Sequence, residues 1–522
     1  MKLLNYVCDR WSEGLGEGEP LIDPVRGTEL ARASSDGVNF AEALEHARTV
    51  GGPGLRALTY AQRATLLGRI AEVLTANRDT YYRIALENSG SPRSDAAIDI
   101  DGAIYTLKFY AKEGAALGEN KLLREGELTR LGKDESFQAL HIGVPLRGVA
   151  ILINAFNFPA WGLWEKAAPA LLSGVPVLAK PATATAWLAQ QMVADIVKAA
   201  ILPDGALSIV CGRAGDLLDH VTGEDAIAFT GSAETAARIR SHPAVAHRSA
   251  RTNIEADSLN VAVLGPDAKA GDPTVELFVS EVVREMTVKA GQKCTAIRRI
   301  LVPASLRDPV AEALRARLSR IRVGDPRTAD MQMGPVINKV QQKAVLEGVD
   351  RLAQESAVIF GGGVAFQPID ADPSVAAFVQ PTLLAHDRPF DARAVHTVEV
   401  FGPVATLLAY RDLDEALRIA RLGQGSLVAS LFSNDPQIIE SAALELACCH
   451  GRVHVVSEEV ARVQTGHGNV MPLSLHGGPG RAGGGQELGG LRALRFHHQF
   501  TALQGPMQSL RGIASRAADL RF

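Results

Sequence analysis

Apolar positions recur at helical spacing in residues 60–77, where Leu66, Leu67, Ile70 and Leu74 fall on one side and Arg63, Arg69 and Glu72 on the other. The pattern predicts an amphipathic helix there, within a first hundred residues of mainly helical texture. Residues 136–142 and 146–154 are extended apolar runs on either side of Pro145, and they predict a paired strand element. From about residue 147 the period changes. Short apolar runs at 149–153, 175–179, 207–210 and 227–229 alternate with helical stretches such as 186–200, which Pro203-Asp204-Gly205 closes. Such alternation predicts a parallel sheet covered on both faces. A second α/β region is expected over residues 260–457, with helices at 306–321 and 341–355. The glycine-rich stretch 476–490 has no period and predicts a loop.

Composition narrows the class. A chain of 522 residues is too long for one ordinary core, so two or three domains are expected. Its 47% hydrophobic and 21% charged residues are those of a globular protein, and a net charge of −4 offers nucleic acid or an anionic membrane no attraction. No apolar stretch has the length needed to span a bilayer, and residues 1–10 carry Asp9 and Arg10 in place of an apolar signal core. Five cysteines make no disulfide framework and no metal-ligand spacing. A cytoplasmic chain without a metal is the expectation, with a cysteine free to react.

The most informative segment is Ala290-Gly291-Gln292-Lys293-Cys294-Thr295-Ala296. Thiolate attacks carbonyls, so a nucleophilic cysteine needs access and a setting that lowers its pKa. The small residues before it permit close approach of backbone to substrate, and its own N–H can face a developing oxyanion. Taken alone, the segment reads more readily as a buried cysteine acting as a small hydrophobe. Asn157, in Phe156-Asn157-Phe158-Pro159, follows an apolar strand at the end where α/β sites form, or simply starts a turn. Glu255 puts a carboxylate at the end of another apolar-flanked segment and in isolation reads as an ordinary surface acid. Glu399, in Glu399-Val400-Phe401-Gly402-Pro403, is either a site acid or the anchor of a tight turn. Cys8, Cys211, Cys448 and Cys449 read as packing, and His450 and His454 do not complete a zinc set.

These motifs, in this order and over nearly the full length, resemble the aldehyde dehydrogenase superfamily. The family's cysteine motif matches at Gly291-Gln292-x-Cys294, its asparagine motif at Asn157-Phe158-Pro159 and its strand-end lysine at Lys180. Its Phe-Thr-Gly-Ser turn matches Phe229-Thr230-Gly231-Ser232, its general base Glu255, and its Glu-x-Phe-Gly-Pro motif residues 399–403. The resemblance implies an α/β fold with a Rossmann-like cofactor domain (residues 1–124 and 146–255) and an α/β catalytic domain (256–472). An oligomerisation element and tail (125–145 and 473–522) would complete the chain and make it a homodimer or larger homo-oligomer. It implies Cys294 as nucleophile, Asn157 as oxyanion donor and Glu255 as base. Lys180, Thr183, Phe156, Gly231, Ser232, Glu399 and Phe401 would hold a nicotinamide dinucleotide. NADP is expected over NAD: NAD-preferring relatives commonly carry a glutamate where this chain has Thr183, and a hydroxyl accommodates a 2′-phosphate that a carboxylate repels. Thr183 would otherwise cap the following helix.

Phe156 in place of the usual tryptophan, the sequence Glu255-Ala256-Asp257-Ser258-Leu259-Asn260 and the glycine-rich tail from His476 depart from the general pattern. They resemble a bacterial branch acting on CoA-linked semialdehydes in aerobic degradation of aromatic acids. That branch implies a 3,4-dehydroadipyl-CoA semialdehyde, the chain ending too soon at Phe522 for the hydratase domain of the phenylacetate-pathway ring-opening protein. The alternatives are the phenylacetate-pathway semialdehyde, an acylating enzyme that releases product to coenzyme A, and a non-catalytic protein that keeps the fold.

Overall fold

The computed structural model describes residues 1–362 and 366–520. Two large sheets dominate it. In the first, Arg251–Glu255, Ala226–Thr230, Ala150–Ile153, Val177–Lys180 and Leu207–Ile209 lie side by side and parallel. All but Arg251–Glu255 are apolar almost throughout, so both faces must be covered, and two separate cores do this. Chain order runs outward from Ala150–Ile153 through Val177–Lys180, then returns to its other side with Ala226–Thr230. The resulting switch point opens a crevice at the carboxyl ends of the strands.

Lys2–Val7, Arg10–Glu13, Glu19–Ile22 and Glu29–Ala33 extend this sheet, although the first hundred residues read as helical. They are short and half-buried, with charged residues among the apolar ones, so they give little alternation to read. The expected helix is Tyr60–Ala76, started by a capping box between Thr59 and Gln62. Arg63, expected at the surface, is buried instead. Its guanidinium donates through Nη1 to the Leu55 and Leu58 carbonyls and stacks over Tyr60 at 4.5 Å, while Nε and Nη2 find no hydrogen-bond partner.

The second sheet runs Ala357–Phe360, Thr382–His386, Val404–Tyr410, Arg299–Pro303, Val261–Leu264, Ser426–Phe432 and His450–Val456, parallel except for the first strand. Helices Arg307–Leu318 and Lys339–Ala353 stand where the periodicity predicted them. The runs flanking Pro145 are both strands, but they are not paired. Phe137–Pro145 joins Leu122–Arg130 and His498–Pro506 in a separate four-stranded sheet. Ala150–Ile153, buried on both faces, is drawn into the parallel sheet instead.

The glycine-rich tail is not merely a loop. Leu475–Gly477 pairs with Gln486–Leu488, and the intervening chain lies against the strand that carries Glu255. The Gly485 N–H donates to the Ile254 carbonyl, and the Ala256 N–H to that of Ala482. A Cβ at Gly485 would stand 2.5 Å from the Ile254 oxygen, so only glycine permits this approach. Cys448, expected in packing, is exposed at the end of helix Pro436–Ala447. Among the described residues no helix is long and apolar enough to cross a membrane.

Candidate active site

The parallel register brings the site together. Ile153 stands opposite Lys180 and Phe229, and Thr230 opposite Glu255, so residues just past these strand ends share one crevice. The facing groups come from loops that enter, rather than leave, strands of the second sheet: Cys294 before Arg299–Pro303 and Glu399 before Val404–Tyr410. Every site residue named from the sequence lines one cleft of about 640 Å³: Asn157, Glu255 and Cys294, together with Phe156, Lys180, Thr183, Gly231, Ser232, Glu399 and Phe401. A second, mostly apolar cavity of about 280 Å³ reaches Cys294 from the other side, between Tyr105, Phe158, Trp161, Val470 and Met471. The cysteine is the junction of the two.

The cysteine loop is shaped by backbone strain and held by buried charge. Lys289, Ala290 and Gly291 all have positive φ (53°, 52° and 67°). A Cβ on Gly291 would lie 2.2 Å from the Gly402 oxygen, so glycine is required twice over. Asp95 accepts from the Lys289 N–H at 2.7 Å, and Lys293 is buried against both oxygens of Glu285. Arg298 donates to the Gly291, Lys293 and Gly402 carbonyls, and Asn260 donates to those of Cys294 and Ala296. Asn157 donates one N–H to the Gln292 carbonyl at 3.1 Å, which leaves its second free to turn toward a ligand.

Glu255 is buried. Its Oε2 accepts from the Thr230 hydroxyl at 3.3 Å, and its Oε1 stands 3.2 Å from His476 Nε2. Behind it, Lys166 pairs with Glu165 and Glu487. Burial pushes the Glu255 carboxyl up, but the His476 charge and contact, the Lys166 ammonium and the Cys294 thiol outweigh it and hold the pKa down at about 2. The Cys294 thiol goes the other way. Burial, the Glu255 charge and hydrogen bond, and the Glu165 and Glu399 charges hold it well above its usual value. The setting that lowers a thiol pKa, expected from the sequence, is therefore absent from this state, because the strongest charges acting on it are those of Glu255, Glu165 and Glu399. The thiol rests protonated beside an ionised carboxylate.

On the cofactor side, Phe156 meets Phe401 edge-on at 5.7 Å. Glu399 accepts from the Ser258 N–H, while its Oε1 is buried without a hydrogen-bond partner. Burial, with Asp257 adding to it, raises its pKa to about 8 against the opposing Arg298 charge. An orphaned carboxyl oxygen in an open cleft fits a sugar hydroxyl. Thr183 does not cap the next helix: its hydroxyl donates to the Gly212 carbonyl, and Thr185 occupies the cap position. Ser232 does cap helix Ala233–Ser241, whose Ala233 N–H goes to Asp257.

Several groups at the site were given no role from the sequence: His476, Thr230, Asn260, Arg298 and the Glu165–Lys166–Glu487 cluster. Thr230 and Asn260 stand in motifs that were read only for their neighbours, and His476 heads the glycine-rich tail, where that much glycine allows backbone to pass close to something.

Comparison with known proteins agrees with this geometry. The model of the aldehyde dehydrogenase family matches residues 11–497. The chain is 58% identical to the 3,4-dehydroadipyl-CoA semialdehyde dehydrogenase of Aromatoleum evansii, over 92% of this chain and 93% of that protein. It is 30% identical to the hydroxyisobutyraldehyde dehydrogenase of Mycolicibacterium austroafricanum, over 99% and 95%. In fold it is similar to betaine aldehyde dehydrogenase from Staphylococcus aureus in complex with NAD+, with a TM-score of 0.83 at 22% identity, covering 96% of this chain and 94% of that one.

Proposed function

The chain belongs to the aldehyde dehydrogenase family, and from that premise we propose that it oxidises a CoA-linked semialdehyde, 3,4-dehydroadipyl-CoA semialdehyde, to the free carboxylate with NADP. The observation that carries this reading is the position of Cys294, reached by an apolar cavity from one side and a dinucleotide-sized cleft from the other, with an ionised carboxylate beside it. The substrate follows the 58% identical relative.

In this mechanism the Cys294 sulfur adds to the aldehyde carbon while Glu255 takes the thiol proton. The raised thiol pKa makes that base necessary. The oxyanion of the thiohemiacetal accepts from Asn157 Nδ2 and the Cys294 N–H. When bound, the nicotinamide supplies the hydride acceptor. Phe156, Phe401 and Glu399 would flank its ribose end, Gly231 and Ser232 the pyrophosphate, and Lys180 and Thr183 the 2′-phosphate. Glu255 gives the thiol proton up to solvent, and the remaining thioester is then hydrolysed by a water whose proton passes to the freed carboxylate. The carboxylate leaves and the thiol is restored. The apolar walls of Phe158 and Trp161 keep other water from the acyl carbon. Strand His498–Pro506, with exposed residues at the end of its sheet, supplies an edge through which two copies pair as a homodimer.

Steady-state kinetics with free and CoA-linked semialdehydes, each with NADP and NAD, tests the reading. The highest kcat/KM is expected for the CoA-linked substrate with NADP. Preference for a free aldehyde, preference for NAD, or a turnover that rises on adding free coenzyme A would each remove the corresponding part. A monomer by light scattering would remove the dimer.

A further inference from the structure

His476 enters the catalytic pocket from the glycine-rich tail, where no metal-ligand spacing could announce it. Its ring packs edge-on to Trp161 at 5.4 Å, and with Cys294 it lines the apolar cavity. One donor atom each from Glu255, Cys294 and His476 lies within 4.8 Å of the others. Glu255 Oε1 and His476 Nε2 are buried and ion-paired 3.2 Å apart, with neither aligned for a hydrogen bond.

That spacing has a second meaning. With Zn–N and Zn–O bonds of about 2.0–2.2 Å, two ligands on tetrahedral zinc stand about 3.3 Å apart. The imidazole and carboxylate already have this separation, and the sulfur, within 4.8 Å of both, needs to move in by no more than about 1 Å to complete the set at Zn–S of about 2.3 Å. The surroundings favour a divalent cation as well. Three carboxylates, Glu165, Glu255 and Glu487, gather here, and Lys166 is the cation paired with two of them. A sulfur, a nitrogen and an oxygen suit zinc, whereas magnesium and calcium seek oxygen alone.

We propose that Glu255, Cys294 and His476 form an inhibitory zinc site that closes the enzyme at its own nucleophile. Zn²⁺ displaces the thiol proton and the His476 Nε2 proton to the medium and binds the sulfur, His476 Nε2 and Glu255 Oε1, with water as fourth ligand. No electron is transferred. Both the sulfur lone pair and the base oxygen are then engaged, so neither addition to the aldehyde nor hydrolysis of a thioester proceeds, and chelation restores both.

The inference uses the same residues as the proposed function but fails separately from it. Turnover in metal-free buffer tests that function, and metal binding without aldehyde tests this site. Equilibrium dialysis of the whole enzyme against Zn²⁺, with Mg²⁺ as control, should give one tight zinc per chain, release of about two protons, and inhibition that EDTA reverses. Co²⁺ in place of zinc should give the intense visible bands of a tetrahedral site and a thiolate charge-transfer band. His476→Gln should weaken zinc binding by more than the roughly 10–100-fold that loss of an outer-shell partner brings. Cys294→Ser should abolish the charge-transfer band. Thermal unfolding with and without zinc gives a readout independent of activity: zinc should raise the wild-type midpoint and leave both variants unmoved. Equal zinc affinity in wild type and His476→Gln, or a charge-transfer band that survives in Cys294→Ser, would overturn the site.

Discussion

Glu255→Gln separates two effects that the geometry assigns to one carboxylate. As the proposed base for thioester hydrolysis, Glu255 should contribute about 10²–10⁴-fold to turnover. As an anion within 4.8 Å of the sulfur, it also opposes formation of the thiolate. At an effective dielectric of about 20, a pair of unit charges at that separation repels by at least about 3 kcal/mol. Glutamine keeps the shape and removes the charge. Even if relaxation absorbs half of that energy, the thiolate fraction at neutral pH should rise by roughly tenfold, since about 1.4 kcal/mol corresponds to a factor of ten. Two assays should therefore move in opposite directions. Alkylation of Cys294 by iodoacetamide, followed by mass spectrometry, should become faster. Steady-state NADPH formation should fall by at least a hundredfold, with a burst of about one NADPH per site retained at high pH. Slower alkylation in the variant would refute the electrostatic account of the raised thiol. Unchanged steady-state turnover would refute Glu255 as the base.

Three further outcomes follow from the site. Asn157→Ala should lower kcat by about 10²–10³-fold while leaving the NADP dissociation constant, read by protein fluorescence, within about twofold; a loss confined to cofactor affinity would remove the oxyanion role. Thr183→Glu places a carboxylate near the 2′-phosphate and should move the kcat/KM ratio from NADP toward NAD by at least tenfold, and an unchanged ratio would exclude this position from phosphate recognition. Glu399 has its pKa raised from the usual carboxylate value of 4.5 to about 8, so the folded protein holds a proton that the unfolded chain releases between those values. Its contribution to stability is thus full below pH 4.5 and is lost as pH rises to about 8. In Glu399→Gln the denaturation midpoint of the cofactor-free protein should fall less between pH 5 and 8 than in the wild type. An equal fall in both would show that this carboxyl does not titrate there.

Much of this was legible in order along the chain. Short apolar runs alternating with helical stretches determined a parallel α/β sheet, because a strand with no polar face must be covered twice. The motifs around Asn157, Lys180, Glu255, Cys294 and Glu399 were readable because each combines a reactive or polar side chain with the glycine or proline that shapes its turn. Pairing was another matter. The run after Pro145 looked like the partner of the one before it, and only burial on both faces sent it to a different sheet. Arg63 looked like a surface residue, since periodicity marks a face but does not show which carbonyls wait inside to receive a guanidinium. His476 lies more than two hundred residues beyond Glu255, and their contact depends on glycines that let the tail run against strand Arg251–Glu255. The state of the nucleophile was decided in the same way. Sequence supplies a cysteine and an acid, whereas whether the thiol is favoured or suppressed depends on their separation and on how little water lies between them.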